Sequence, residues 1–453
     1  MKKLKLTTII LSTAALSSCG LYSSYERPEN IKTEELCGTI NEAGYDSLPN
    51  WREMFQDAHL QVLIDSALKN NSDIRTADLK IQEAKATLHA SKLAFLPSLS
   101  FDPSGTISSW DFNKATKSYS IPVDVSWQID AFGSLRNAKE RSKALYEQNK
   151  TSRQAVQTSL IANVANMYYT LLMLDEQLKL AQQTADSWKE YVDATKVMKE
   201  AGRMNEASVS QMEGTYYSIC TQVEDIKASR TEVENTLCAL LGETPHMIER
   251  GSIYDWKAPV DFISGIPVSL LGNRPDVKMA EHALAASFYT VNQSRAAFYP
   301  SINLSGMAGW TNSGGGMIVD PGKMLLTAVA SLAQPIFARG EINAQYKISK
   351  AQYQEAEIQF QQTLLNAGAE INTTLAQLQN ANNKRNLYEK QVESLERAVE
   401  STKLLMQNSS TTYLEVLTAV QTLLSAQLSQ ISNYNDEIQN TISLYQSLGG
   451  GVE

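Results

Sequence analysis

Residues 119–136 read YSIPVDVSWQIDAFGSLR. Tyr119, Ile121, Val123, Val125, Trp127 and Ile129 alternate with Ser120, Pro122, Asp124, Ser126, Gln128 and Asp130. A period of two predicts a β-strand with one apolar and one polar face. Beyond Gly133 the alternation stops and a charged, Ala- and Leu-rich run begins, as in a helix. A strand this two-faced needs two different surroundings, and Pro122 withholds one ladder donor from it.

Prolines punctuate the rest. The chain has 12, and none falls in 123–244 or 336–453. Both proline-free stretches are rich in Ala, Leu, Gln, Glu and Lys, which favour helix. Leu160, Val164, Met167, Leu171, Leu174, Leu178 and Ala181 recur at alternating spacings of four and three, a heptad seam. Tyr388, Val392, Leu395, Val399 and Thr402 do the same, with Leu405 three residues further on. A continuous helix over 134–201 would be about 100 Å long, which implies coiled-coil packing. Each stretch breaks near its middle, at AGRMNEAS (201–208) and at QNSSTTY (407–413). Gly202 can end a helix and Asn205 can start one. Each break therefore reads as the tip of a long helical hairpin.

The two halves are copies. At a constant offset of 203, Asn70/Asn273, Asp73/Asp276, Ala77/Ala280, Thr87/Thr290, Phe95/Phe298 and Pro97/Pro300 are identical, and AFLPSLSF (94–101) matches AFYPSINL (297–304). Each copy reads as a helix, two strands and a helical hairpin. Repeat 1 covers 59–250, with strands about 98–111 and 118–130 and a hairpin about 133–242. Repeat 2 covers 273–453, with strands about 301–312 and 326–337 and a hairpin about 340–447. Residues 251–272 are the linker.

The first residues give the compartment. Lys2, Lys3 and Lys5 precede an apolar run from Leu6 to Leu16, then Leu16-Ser17-Ser18-Cys19. Residues 1–18 read as a secretory signal. The ending resembles a lipobox, whose cysteine becomes the acylated first residue; the alternative is an ordinary signal with an incidental cysteine. Residues 19–58 are then an acylated N-terminal segment, with diacylglycerol and an N-acyl chain on Cys19 and no other cofactor. Removing the signal takes three lysines and moves the net charge from -9 to -12. With no basic block, nucleic acid is not an expected partner. Cys220 and Cys238, 18 apart on one helix and so about 27 Å distant, cannot pair within it.

Four strands and two helical hairpins leave no core for a soluble sandwich to cover. An alternating strand of this length is the unit of an outer-membrane barrel. Open sheet edges are not tolerated in a bilayer and four strands cannot close a barrel, so closure requires other copies. Three copies supply about twelve strands. The fold class expected is an α+β membrane protein: a trimeric 12-stranded β-barrel continued by a periplasmic α-helical coiled-coil tunnel.

At this point the sequence resembles the outer membrane efflux protein family, the TolC-like outer membrane factors, and within it the lipoprotein branch paired with resistance-nodulation-division (RND) pumps. The similarity is carried by YERPE (25–29), WREMFQDAHLQVLIDSALKNNSDIRTA (51–77), DAFGSLR (130–136), NRPDVKMAEHALAASFYTVNQSRAAFYPSINLSG (273–306) and QPIFARGEI (334–342). It implies a homotrimer in the outer membrane, a passive exit duct docked on a periplasmic adaptor and an inner-membrane RND transporter. The resemblance also implies a cargo of small toxic compounds, chosen upstream of the duct. The tips carry the site residues implied. Gly202, Arg203, Met204, Ser409 and Ser410 would contact the adaptor, and Ser208, Thr411 and Glu415 would line the constriction. The chain departs from the family at Ser208, where an acid is common, and at Ser409 and Thr411, where some members have Gly and Arg. Glu415 would give three carboxylates around one opening, able to select cations. A solvated Glu favoured by the helix dipole is the other reading.

The expected lipid contacts are Tyr119, Ile121, Val123, Val125, Trp127 and Ile129. Trp110, Tyr119, Trp127 and Trp310 form a candidate aromatic girdle. His59, His89, His246 and His282 are scattered, with no metal spacing and no Gly-x-Ser-x-Gly elbow, so no enzyme or metal site is expected. Glu281-His282 reads as helix surface. Two alternatives stay open: the outer-membrane component of a type I (ABC) protein secretion system, and a non-conducting, lipid-anchored coiled-coil spacer.

Overall fold

The computed structural model describes residues 23–28, 48–109, 111, 114–258, 272–311, 324–407 and 413–451. Its helices are α1 (Trp51–Met54), α2 (Ala58–Asn70), α3 (Ser72–Leu93), α4 (Ser134–Glu200), α5 (Glu206–Leu241), α6 (Pro275–Ala296), α7 (Glu341–Gln407) and α8 (Tyr413–Ser447). The strands are β1 (Ser98–Phe101), β2 (Ser104–Ser108), β3 (Thr116–Ile129), β4 (Ser301–Thr311) and β5 (Leu325–Ala333). The chain divides into two compact units. One holds 79–151 and 278–362, with 23–28; the other holds 48–78, 152–277 and 363–451 among its described residues.

The first unit is built on an antiparallel sheet. β3 pairs with both β1 and β2 on one side and with β4 on the other, and β5 pairs with β4. A single strand was expected over 98–111. It is two, interrupted at Asp102 and Pro103, yet Ser98↔Ser126 and Ser104↔Ser120 lie in one unslipped register. The gap falls opposite Ile121 and Pro122, where the prolines of both strands lack a ladder N–H. Among the described residues the sheet thus has four strand positions with two open edges. The strand expected over 326–337 stops at Ala333, before Pro335.

In the second unit, Leu160, Val164, Leu171, Leu174, Leu178 and Ala181 of the α4 seam are buried. Between 160 and 172 the buried face is wider than a seam, because Ile161, Ala165, Tyr168, Tyr169 and Leu172 are buried too. Tyr169 meets Trp256 edge-on at 5.0 Å, and Phe55 meets Tyr445 edge-on at 6.2 Å. The α7 seam is thinner: Val392 and Val399 are buried while Leu405 is exposed. The described part of the expected linker is ordered structure, with a 3-10 turn at Ile253–Asp255 and Ile253 fully buried. Cys238 is buried, whereas Cys220 is only partly so; both are free.

The pseudo-equivalent positions 71 and 274 do parallel work with different chemistry. Asn71 Oδ1 accepts from the Asp73 amide at 2.8 Å, and Asn71 Nδ2 donates to Leu240 O in the last turn of α5. Arg274, nearly buried, pairs with Asp276 and Glu370 and donates to Ser447 O in the last turn of α8. Each ties the start of its copy's first long helix to the end of its hairpin.

Candidate functional site: a two-faced sheet and the helical tips

Directly opposite residues in a sheet share a face, so the register sorts the side chains. Leu99–Val125–Gly306–Ala328, Phe101–Val123–Ala308–Leu326, Trp127–Leu304–Ala330 and Ile129–Ile302–Leu332 run across one face. Ser98–Ser126–Ser305–Val329, Ser100–Asp124–Met307–Thr327 and Gln128–Asn303–Ser331 run across the other. Tyr119, Ile121, Val123, Val125, Trp127 and Ile129 therefore share the apolar face, and Ile121, Val123, Trp127 and Ile129 are exposed on it. Trp127 and Trp310 lie toward opposite ends of β3 and β4 on this face. Trp110 lies outside the described residues.

Pro122 is buried within β3, opposite Gly309. A Cβ built on Gly309 would lie 2.3 Å from Ile121 O and 2.7 Å from Pro122 Cα. Only glycine fits that approach. This position has no separate sequence signal, because its need arises from the β3–β4 register.

At the passage from strand to helix, Asp130 caps α4. Its two carboxylate oxygens accept from the Leu135 and Arg136 amides at 2.9 and 2.8 Å. A carboxylate there also suits the positive end of the helix dipole. Phe132 stacks on Tyr299 at 5.2 Å. Nearby, Arg27 of YERPE forms a bidentate pair with Glu281 and lies 5.7 Å over the Phe360 ring. Glu281 is therefore a docking point rather than plain helix surface. His282 is half-buried, and burial holds its imidazole below the ordinary range despite Glu147 and Glu281 nearby. The Arg27–Glu281 pair joins residues 254 apart, a separation no local pattern reveals.

The first hairpin tip is compact. Gly202 takes φ +71° and closes a Schellman motif: its amide donates to Lys199 O and that of Arg203 to Met198 O, both at 2.9 Å. Asn205 caps α5 by accepting from the Ser208 amide. Ser208 was expected to line the constriction. Instead it is buried, and its hydroxyl donates to Asn205 Oδ1 at 2.9 Å, so it serves the cap within this chain. Gly202 and Arg203 are exposed, and Met204 is partly so. Lys196 pairs with Glu213 across the hairpin at 2.8 Å, and Lys199 pairs with Glu206.

Below the tip, Ala185, Trp188 and Val192 of α4 pack with Met212 and Ile219 of α5 and with Leu417 and Leu424 of α8. Val416 and Leu417 are buried, while Glu415, in the first turn of α8, is exposed on the side away from them. Ser409, Ser410 and Thr411 lie outside the described residues, as do Cys19 and the signal. Polar grooves run along the hairpins; one is lined by Asn372, Thr373, Gln377, Asn380, Asp436 and Asn440, among others. Among the described residues no cluster of His, Cys, Asp and Glu could hold a metal ion, and no helix is long and apolar enough to cross a membrane.

The fold and the repeat agree with what the chain is similar to. The sequence profile for "Outer membrane efflux protein" matches residues 63–243 and 266–450. The cation efflux system protein CusC of Escherichia coli is 28% identical over 448 residues, covering 96% of each chain. The probable outer membrane lipoprotein SilC of Salmonella typhimurium is 25% identical, covering 100% of this chain and 99% of that protein. A crystal structure of CusC superposes with a TM-score of 0.87 at 26% identity, covering 95% of this chain and 100% of that one. The open-state MtrE outer membrane channel of Neisseria gonorrhoeae gives a TM-score of 0.83 at 25% identity, with coverage of 95% and 98%. The chain belongs to the outer membrane efflux protein family, and is an outer-membrane efflux channel protein whose helices extend into the periplasm.

Proposed function

We propose that three copies close their sheets into one twelve-stranded barrel and that their hairpins form the tunnel of a passive duct. One observation carries this reading: a sheet with one face apolar from Tyr119 to Ile129 and across their partners, and two open edges among the described residues. Lipid suits the apolar face, a watery lumen suits Asp124, Ser126, Gln128 and Asn303, and a bilayer forbids the edges. The acylated Cys19 anchors the chain in the same membrane. The tip at Gly202, Arg203 and Met204, with Ser409 and Ser410, meets a periplasmic adaptor, and an inner-membrane RND pump supplies the energy.

The relatives carry names for cation, toluene and antibiotic efflux while sharing this length and pattern. Cargo is accordingly chosen upstream of the duct. The lumen is narrowest at the tips, where Glu415 contributes one carboxylate per copy. Reconstitution of the full-length, acylated protein in planar bilayers tests the duct. Single-channel conductance from particles of trimer mass is the expected result. Trimers that conduct nothing would leave an envelope spacer instead. Co-purification with an ABC exporter rather than an RND pump would assign the duct to protein secretion.

A further inference from the structure

The sheet repeats its own register. A shift of 203 carries β1 onto β4, and a shift of 207 carries β3 onto β5: Ser98↔Ser126 becomes Ser301↔Ala333, and Phe101↔Val123 becomes Leu304↔Ala330, both of which are observed pairs. Side-chain bonds follow the same shifts. Ser98 Oγ donates to Ser126 O, and Ser301 Oγ to Ala333 O. Trp127 Nε1 donates to Phe95 O, and Gln334 Nε2 to Phe298 O. The seams β1–β3 and β4–β5 are thus two examples of one junction. The seam β3–β4, which joins the two halves, has no second example within the chain.

A closed ring supplies one. Where β5 of one copy meets β1 and β2 of the next, the second half again precedes a first half. The same shifts applied to the β3–β4 register fix the pairing. Ile121↔Trp310 becomes Ala328 against Ile107, Pro122↔Gly309 becomes Val329 against Thr106, and Ile129↔Ile302 becomes Ile336 against Leu99. We propose that the barrel closes between copies in this antiparallel register, with β5 growing from Ala333 to Ile336 on assembly. The inference rests on the trimeric duct proposed above.

Two observations accord with the register. First, large apolar side chains stand open along both edges where it would cover them: Ile336 is 99% exposed, Leu99 72% and Ile107 71%. Second, the faces stay sorted. Thr327–Ser108, Val329–Thr106 and Ser331–Ser104 fall on the polar face; Ala328–Ile107, Ala330–Gly105 and Ile336–Leu99 fall on the apolar one. A slip of one residue would mix the faces, but a slip of two would not, so face sorting alone leaves several registers. The internal repeat chooses among them.

Disulfide trapping of the full-length chain in outer membranes reads the register. Directly opposite residues lie within disulfide reach, while diagonal neighbours about 7–8 Å apart do not. Val329→Cys with Thr106→Cys is expected to give covalent dimers and trimers on oxidation. Val329→Cys with Ser104→Cys, or with Ser108→Cys, should yield at least about ten-fold less. Ser331→Cys with Ser104→Cys repeats the test if the first pair fails to insert. Preferred trapping by a slipped pair overturns the register and leaves the duct intact. So does absence of trapping by every pair while amine-reactive cross-linking still shows trimers. Monomers by both chemistries overturn the trimeric duct itself, and the register with it.

Discussion

Replacing Gly309 by alanine perturbs a close approach between the backbones of β3 and β4. The added Cβ would sit 2.3 Å from Ile121 O, at least 0.7 Å inside the 3.0 Å that real Cβ contacts respect. The obstacle is backbone, Ile121 O and Pro122 Cα, so no side chain can swing away. Strands β3 and β4 must part by that amount, which carries a bond of about 2.9 Å past the limit of a hydrogen bond. One or two ladder bonds at about 1 kcal/mol each, with overpacking of about 1–3 kcal/mol, give a loss on the order of 2–5 kcal/mol. Gly306 on the same strand is the control: a Cβ there meets only Thr327 O, at an ordinary 3.5 Å. Thermal unfolding of the purified protein in detergent, followed by circular dichroism and by loss of SDS-resistant oligomers, measures both variants. Gly309→Ala should melt on the order of 10 °C below wild type, and Gly306→Ala within a few degrees of it. Equal melting of Gly309→Ala and wild type, or equal damage from Gly306→Ala, would refute the packing argument.

Four further outcomes are expected. Arg274→Met orphans the buried Ser447 carbonyl at about 1–3 kcal/mol, while its half-exposed partners Asp276 and Glu370 add only about 0–1 kcal/mol each; urea unfolding should lose a total of about 1–5 kcal/mol. Val125→Arg places a charge on the apolar face, at about 2–4 kcal/mol near a bilayer midplane; normal membrane insertion and conductance would contradict the lipid-facing assignment. Glu415→Gln should weaken cation preference in planar bilayers, and an unchanged reversal potential would remove Glu415 from the constriction. His282, with its folded pKa lowered by burial, favours the neutral form; its stabilising effect is present above its ordinary value near 6.5 and is lost as pH falls below it. His282→Asn should flatten the melting temperature over that acidic range, and a slope identical to wild type would exclude the residue.

Much of the architecture follows from local chemistry. The period of two at 119–129, the proline-free stretches and the Gly202–Asn205 break each act over a few residues, and each matches an element end or face in the structure. What escaped local reading depends on partners far along the chain. Glu281 looks like surface until Arg27 reaches it from 254 residues away. Ser208 looks available until its hydroxyl turns back to Asn205, a contact set by how the cap folds rather than by composition. Gly309 is one glycine in a Gly-rich strand until the β3–β4 register sets it against Pro122. The change of repeat offset from 203 to 207 between the strands of each copy also needed the structure, because strand tips differ in length while strand pairing does not.

The interruption at Asp102 and Pro103 has a consequence for the chain before it assembles. A newly exported copy carries a sheet with an apolar face and bare edges, the kind of template that recruits stray strands. Two short pieces of edge, parted by a proline, cannot zip up with a long foreign strand. A matching copy can still dock on each piece in turn, because both keep one register against β3. The same residue that makes β1 and β2 poor strands thereby makes that edge a poor template for stray strands while leaving a matching copy a place to bind.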